Sequence, residues 1–319
     1  MTVAALAPSD TVAVVVVNWN GWRHSLACLA SLRASLDTGW RLYLVDNASS
    51  DDSLAHLSDL GDDVVLLRSP VNGGWTGGNN LGVRQALDDG HDLIFILNND
   101  AEVLSDTIGV LRRIQQETPA LPLLGPVHRK ASGDEYDFIG ADIDPQTGMP
   151  RLRPVAGVNP ADLAALSETA YIKGAGIFAH RRHFEAIGLF DDAYYLNYDE
   201  ADWCFRARSL GVESLMARDA IIRHAGSASI GGSASPLNLY FMVRNGLLFA
   251  EQHSTQRQRL RLLRTYLRWA HSFLPQAPGG FWVWPFAFSR SRHALAFKAG
   301  VRDYVLRQFG DCPSWIRQL

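Results

Sequence analysis

The sequence predicts an α/β protein: a Rossmann-like, mostly parallel sheet flanked by helices, with a helical C-terminal extension. Three observations lead there. Short β-branched runs alternate with segments of helical spacing through the first 130 residues. The runs are apolar at nearly every position, as strands buried on both faces are. Strands alternating with helices imply βαβ units with right-handed crossovers.

The strands expected are "VAVVVVN" (12–18), "RLYLVDN" (41–47), "DVVLLRS" (63–69) and "DLIFILNND" (92–100). Between them Leu26, Leu29, Leu32 and Leu36 recur at helical intervals, as do Leu54, Leu57 and Leu60. Residues 133–160 are rich in Gly, Pro and Asp and suggest loops with a hairpin around "DPQTG". "YIKGAGIFAH" then reads as a strand and "RRHFEAIG" as a short helix, and "DEADWCFRARSLG" reads as a helix stopped by Gly211.

Composition limits what the chain can be. A chain of 319 residues, 47% hydrophobic and 20% charged, is globular rather than disordered or fibrous. Cys28, Cys204 and Cys312 are too few and too scattered for a disulfide framework or a zinc site, which favours a reducing, cytoplasmic setting. "MTVAALAPSD" lacks the pattern of a signal peptide, and "FWVWPFAF" is too short to cross a bilayer. The net charge of −3 divides into −12 for residues 1–254 and +9 from Thr255 onward. That basic tail also carries Trp269, Trp282, Trp284 and Trp315, a combination suited to an anionic surface. No nucleic-acid partner is expected, and self-association stays open.

In a parallel sheet the ligand crevice lies beyond the carboxyl ends of the strands. Polar clusters collect there: "NWNG", "DNASSDD", "NGGWTGGNN" and "NND". Asp46 ends a strand, where a carboxylate can accept from a nucleobase or ribose, or simply close an Asx turn. "NGGWTGGNN" lacks the lysine of a Walker loop, but its glycines let backbone N–H groups approach a diphosphate at a helix N-terminus. Asp100 ends the most apolar strand, where a carboxylate is poorly solvated unless it meets a cation. With a carbonyl from Asn98 or Asn99 it would suit Mg²⁺ or Mn²⁺.

The succession "VVVVNWNG", "LVDNASSDDS", "NGGWTGGNN", "LNND", "KGAGIFAHRRHFEAIGLFD", "YDEADWCFRARSLG", "RHAGSAS" and "VRNGLLF" resembles the family 2 inverting glycosyltransferases, most of all their bacterial rhamnosyltransferase branch. The resemblance covers about residues 11–250 and implies a GT-A fold, a nucleotide-sugar donor and a divalent metal, Mg²⁺ or Mn²⁺. It implies a glycosyltransferase domain over 1–254, with a nucleotide-binding half at about 11–130 and an acceptor half at about 131–254, and an extension over 255–319. Asp46 matches the nucleotide-contacting acid. "NND" stands where the family's metal motif usually has two acids flanking one residue; here Asn98 replaces the first and leaves Asp100 as main ligand. His224 matches a histidine beside the metal or diphosphate. Asn18, Asn72, Gly73, Gly74, Asn79, Asn98, Asn99, Lys173, Gly174 and Arg244 complete the expected nucleotide-sugar site, Arg244 as a bidentate phosphate holder or else a helix-surface arginine.

In "YDEADW" the resemblance places the general base in an acidic pair, with Glu200 favoured over Asp199. Asp202 would buttress the loop or pair with Arg206, and Trp203 would face a sugar or the core. The reaction implied is transfer of a sugar, best L-rhamnose from dTDP-rhamnose, to a glycan or lipid-linked glycan acceptor in bacterial cell-surface polysaccharide synthesis. UDP- or GDP-hexose donors are the alternative. The tail would hold the enzyme to the inner face of the plasma membrane. A sugar nucleotidyltransferase would need an N-terminal glycine-rich loop with Arg and Lys, which "NWNGWRHS" lacks. A non-catalytic sugar- or lipid-binding protein on the same fold is the remaining rival.

Overall fold

A computed structural model describes residues 11–226, 232, 234–272 and 291–319. Residues 1–10, the "FWVWPFAF" segment with Trp282 and Trp284, and the "SAS" of "RHAGSAS" lie outside the described residues.

The N-terminal half is β1 (Val12–Asn18), α1 (Trp22–Arg33), β2 (Trp40–Asp46), α2 (Ser53–Leu57), β3 (Val64–Arg68), α3 (Gly74–Asp88) and β4 (Leu93–Asn98). β1 lies between β2 and β4, β3 pairs with β2, and all three pairings are parallel. Val12 to Val16 are at most 1% exposed, because both faces of the strand are covered. The even-numbered residues join Leu29 and Leu32 of α1 in one apolar cluster. The odd-numbered face meets α3, whose Gly78 and Gly82 pack so closely on Val17 and Val15 that a methyl group at either glycine would overlap them.

The chain continues through β5 (Ala101–Val103), α4 (Thr107–Glu117), β6 (Leu123–Lys130), β7 (Tyr136–Phe138), β8 (Ala141–Ile143), β9 (Pro150–Leu152), β10 (Leu166–Glu168), β11 (Gly176–His180), α5 (Arg181–Ile187), α6 (Asp199–Ser209) and β12 (Ser214–His224). The main sheet has the order β10-β12-β6-β11-β4-β1-β2-β3, with β5 on β12 and β7 on β6, while β8 and β9 form the expected hairpin. β11 runs antiparallel to both neighbours, so the sheet is parallel in its first half and mixed in its second. It also starts later than the apolar run suggests: Lys173 to Gly176 form a turn closed by Gly176 N–H to the Lys173 carbonyl at 3.1 Å.

Last come α7 (Pro236–His253), α8 (Gln256–Ser272), α9 (Arg292–Val305) and α10 (Ser314–Arg317). The chain divides into two compact units. One holds residues up to 142, 150–195 and 199–226, and the other holds 143–149, 196–198 and the chain from 227 onward. The division differs from a boundary at 254 because α7 packs with α9: Gly300 lies directly against the Tyr240 carbonyl, and Tyr240 Oη donates to the buried Asp303 at 2.8 Å. Among the described residues no helix is long and apolar enough to cross a membrane.

Candidate active site

The parallel register brings Asn18 opposite Asp46, and Asn98 opposite Val17, at one edge of the sheet. Asn18 Nδ2 donates to Asp46 Oδ1 at 3.2 Å and to Ser49 Oγ at 3.1 Å, while Ser25 Oγ donates to Asn18 Oδ1 at 2.9 Å. Asp46 is 2% exposed, and its Oδ2 accepts the Ser49 N–H at 3.3 Å. Asn99 Nδ2 reaches Ser25 Oγ at 3.3 Å. Asn18, Asp46 and Asn99 therefore belong to one network that holds the Asp46 carboxylate still at the strand ends.

The glycine-rich turn serves a different purpose from the one expected. Asn47, buried just after β2, accepts the Gly73 N–H at 3.0 Å and donates to Asn72 Oδ1 at 3.1 Å and the Gly74 carbonyl at 2.9 Å. Asn72 Oδ1 also takes the Gly74 N–H at 2.9 Å. The N–H groups of Gly73 and Gly74 are thus held by side chains rather than offered to a diphosphate. Gly74 has a φ of 71° and touches Tyr195, so the turn needs glycine for its backbone and for space. Asn79 folds back onto the Trp75 carbonyl at 2.8 Å and is 1% exposed, which makes it an internal helix residue instead of a donor contact. Asn98 Oδ1 accepts from Trp75 Nε1 at 2.8 Å, which ties one of its two lone pairs to the ring rather than to a metal.

Beyond Asn98 the strand ends converge on charge. His224, at the end of β12, has Nε2 3.3 Å from Asp100 Oδ1 and Nδ1 3.7 Å from Asp137 Oδ2. Lys173 Nζ lies 2.8 Å from the same Asp137 oxygen. Neither His224 nitrogen completes a hydrogen bond of good geometry, so charge attraction rather than hydrogen bonding holds the group. Burial alone would depress the His224 imidazole, but Asp100 and Asp137 reverse this and raise it. Burial would lift Asp100, and His224, with His24 nearby, brings it below its usual range. Asp137 is held far below the carboxylate range by His224 first and, against burial, by Lys173. Asp100 and His224 offer one oxygen and one nitrogen donor, a pairing compatible with Mn²⁺ or Mg²⁺.

Two further residues stand here that sequence reasoning misses, His128 and Asp137. His128 is wholly buried on β6, its ring 5.9 Å from that of His224, and burial followed by the His224 and Lys173 charges keeps it neutral. The available signal is a histidine inside the apolar run "LLGPVH" and an acid between two aromatics in "YDF".

The acidic stretch opens α6. The chain reaches it through Tyr195, Asn197 and Tyr198, with φ of 64°, 65° and 69°. Bulky residues in that region store strain, which persists only where the surroundings over-determine it. Asn245 does so by donating to the carbonyls of Leu196 at 2.7 Å and Asn197 at 3.0 Å. Asp199 is buried and accepts from Thr76 Oγ1 at 2.8 Å. Glu200 is half-buried, and its carboxyl is raised well above the ordinary range by desolvation first and by Asp199 next, against the pull of its own backbone and that of Gly174. Gly174 lies against the Trp75 ring, where no side chain would fit.

Three residues fall on the structural side of their alternatives. Asp202 Oδ2 accepts from Arg206 Nε at 2.8 Å, and Arg206 continues to the carbonyls of Ile187 and Leu189. Trp203 is 0% exposed, stacks on Phe184 and donates to the Gly188 carbonyl at 2.8 Å, so no face of it is offered to a sugar. Arg244 is neither a surface arginine nor free for phosphate: it is fully buried in α7, donates to Asn245 Oδ1 at 2.9 Å and lies over the Tyr240 and Phe241 rings.

A family model for glycosyl transferase family 2 matches residues 13–173. The chain belongs to glycosyl transferase family 2. This family 2 chain is 25% identical over 200 residues to the low-salt glycan biosynthesis hexosyltransferase Agl10 of Haloferax volcanii, covering 62% of each, so it spans less than two thirds of that relative's length. It is 23% identical over 217 residues to the dTDP-rhamnosyl transferase RfbF of Shigella flexneri, covering 66% of this chain and 70% of the relative. Among solved structures it is similar to GalNAc-T7 with UDP, GalNAc and Mn²⁺ (TM-score 0.56, 15% identity, 80% of this chain and 54% of the other). It is also similar to the mannosyltransferase PcManGT from Pyrobaculum calidifontis with GDP-Man and Mn²⁺ (TM-score 0.55, 14% identity, 94% and 89%). At these identities the likeness establishes the fold, and that fold is GT-A.

The raised Glu200 carboxyl makes stability depend on pH. Below the ordinary value of 4.5 both folded and unfolded chains hold the proton. As pH rises past it the unfolded chain releases its proton first, so the folded state loses stability until Glu200 ionises too. Glu200→Gln should therefore raise Tm at about pH 7–8 relative to the unsubstituted protein and leave it unchanged near pH 4. A Tm difference independent of pH would mean that Glu200 ionises normally.

Proposed function

We propose that this chain is an inverting, metal-dependent glycosyltransferase that moves a sugar from a nucleoside diphosphate donor to an acceptor hydroxyl. The observation that carries the reading is the linkage of three groups within one compact unit. Asp46 sits at the sheet edge, Asp100 and His224 stand beyond it, and Asp199 and Glu200 open α6. Short contacts join them: Trp75 to Asn98 at 2.8 Å, Thr76 to Asp199 at 2.8 Å, and Lys173 to Asp137 at 2.8 Å, with Asp137 beside His224.

In this reading Asp46, fixed by Asn18 and Ser49, receives the nucleoside, and Asp100 faces the diphosphate with His224 beside it. A bound Mn²⁺ or Mg²⁺ would offset charge on the departing diphosphate. Glu200 takes the acceptor proton. A general base works best with its pKa near the working pH, and desolvation moves Glu200 in that direction. Asp199 stays on Thr76 and acts through its charge on Glu200. Arg244 is left out because its guanidinium is occupied within the helical unit.

The donor best supported is dTDP-L-rhamnose, on the likeness to a relative named as a dTDP-rhamnosyl transferase; a UDP- or GDP-hexose is the alternative, favoured by the relative named as a hexosyltransferase. The acceptor is a hydroxyl of a glycan or lipid-linked glycan in bacterial surface polysaccharide synthesis, and α8 brings the enzyme to the membrane face that carries it. On α8 Leu260, Leu263 and Leu267 are 59%, 48% and 59% exposed at helical spacing, and Trp269 is exposed nearby. The same helix has five arginines and no acid, and Arg261, Arg264 and Arg268 line a cleft with Gln146 and Thr147. Exposed leucines flanked by arginines suit an anionic lipid surface.

A donor panel read by release of nucleoside diphosphate tests the reaction. dTDP-rhamnose should be used best, and chelation should abolish turnover. Glu200→Gln should lower transfer by ~10²–10⁴-fold with donor binding retained, and Asp199→Asn should cost much less. The reverse order would move the base to Asp199, and near-normal rates in both would end the assignment. For the membrane reading, Leu263→Glu should reduce sedimentation with phosphatidylglycerol vesicles at low salt. Equal sedimentation of both proteins would contradict it.

A further inference from the structure

We propose that His128, Asp137 and His224 form a second metal site, selective for borderline transition metals such as Zn²⁺ or Co²⁺, which fills without any donor nucleotide. Each residue offers one ligand atom, and these atoms all lie within 4.8 Å of one another. Metal–ligand bonds of about 2.0–2.2 Å would draw them together by small side-chain adjustments.

The decisive residue is His128. It is 0% exposed, and neither of its ring nitrogens has a hydrogen-bond partner; the same holds for the two nitrogens of His224. A buried polar group left without a partner is destabilising, because it loses its hydrogen bonds to water and regains none. A histidine that merely filled space against Phe138 would carry that cost with nothing in return, whereas a phenylalanine or leucine would not. An ion removes that cost for His128, whereas His224 already lies 3.3 Å from Asp100 and 3.7 Å from Asp137.

The backbone brings the third ligand. β6 and β7 pair His128 with Phe138 and Arg129 with Tyr136, so Asp137 is the extra residue of a β-bulge. Bulges re-aim side chains next to functional sites. His224 comes from the neighbouring strand, whose parallel register sets Ile222 beside His128 and thus places His224 two residues along on the same face. Asp137 is shared with Lys173 at 2.8 Å, so an ion here competes with that ammonium or uses the other carboxylate oxygen.

This site is distinct from the Asp100 side of the imidazole. Asp137 approaches Nδ1 and Asp100 approaches Nε2. With Nδ1 on the ion, Nε2 carries the proton and faces Asp100, so while this ion is bound His224 gives no ligand to a donor-borne metal and Asp100 serves that metal without it. Two imidazoles and one carboxylate also set the preference: nitrogen-rich sets favour transition metals, while Mg²⁺ favours oxygen and retained water.

The test uses the full chain, stripped of metal and free of nucleotide. Zn²⁺ titration by calorimetry and Co²⁺ titration by visible absorption should each give one ion per chain, and X-ray absorption of the Zn²⁺ form should show two imidazoles. Asp137→Asn and His128→Gln should each weaken binding by at least ~10-fold, no less than loss of an outer hydrogen-bond partner does. Asp100→Asn, which removes only the outer partner of the His224 Nε2–H, should weaken nucleotide-free binding less than Asp137→Asn does. Absence of nucleotide-free binding, an ion with fewer than two imidazoles, or an affinity that follows Asp100 and ignores Asp137 would each overturn the site. If His128→Gln fails to fold, the imidazole count on the unsubstituted protein and the half-buried Asp137→Asn variant still decide it.

Discussion

β1 has its residues from Val12 to Val16 closed to water, with a hydrogen-bonded strand on each side and helices on both faces. Its polar backbone groups must therefore be satisfied entirely within the sheet, and slipping by one residue would exchange the faces that α1 and α3 cover. That fixes the register, and the register fixes what leaves the sheet together: Asn18 opposite Asp46, with Asn98 one position away on β4. The close fit of Gly78 and Gly82 against this strand then sets where α3 begins, and with it Trp75 and Thr76. These two side chains reach Asn98 and Asp199, so the position of the candidate base is tied to the burial of β1.

A second consequence concerns charge. The end of β4, the bulge of β7, the end of β12 and the turn before β11 bring Asp100, Asp137, His224 and Lys173 together in a partly buried space, where opposite charges offset one another's desolvation. Glu200, lacking a cation among its perturbing neighbours, moves the other way and holds its proton more tightly. The same unit thus keeps one set of acids ionised and pushes another toward protonation, which is the division of labour that acid–base chemistry beside a charged leaving group requires.

Much of this was legible in the sequence. The four leading strands could be read because their apolar runs are short, rich in β-branched residues and bounded by turn residues, and Asp46 and Asp100 stand where those runs stop. The direction of β11 could not be read, since a doubly buried strand has the same composition whichever way it runs. Gly73 and Gly74 misled because a turn that holds its own N–H groups and a turn that presents them to an anion need the same glycines; the difference lies with Asn47, a strand away. Arg244 looked like a surface or phosphate arginine because its partners, Tyr240 and Phe241, read as ordinary helix residues. His128 was invisible as a candidate, for its neighbours in space come from β7 and β12 and no spacing along the chain announces them.

The central claim is that the carboxyl edge of β1, β2 and β4 receives the donor. Amide hydrogen exchange, measured with and without saturating UDP or dTDP in the presence of Mn²⁺, addresses it directly. Exchange should slow at residues 18–21, 46–50 and 98–100 together, with no comparable change in the helices after 236. Protection confined to those C-terminal helices, or saturating binding without protection at the three strand ends, would contradict the account.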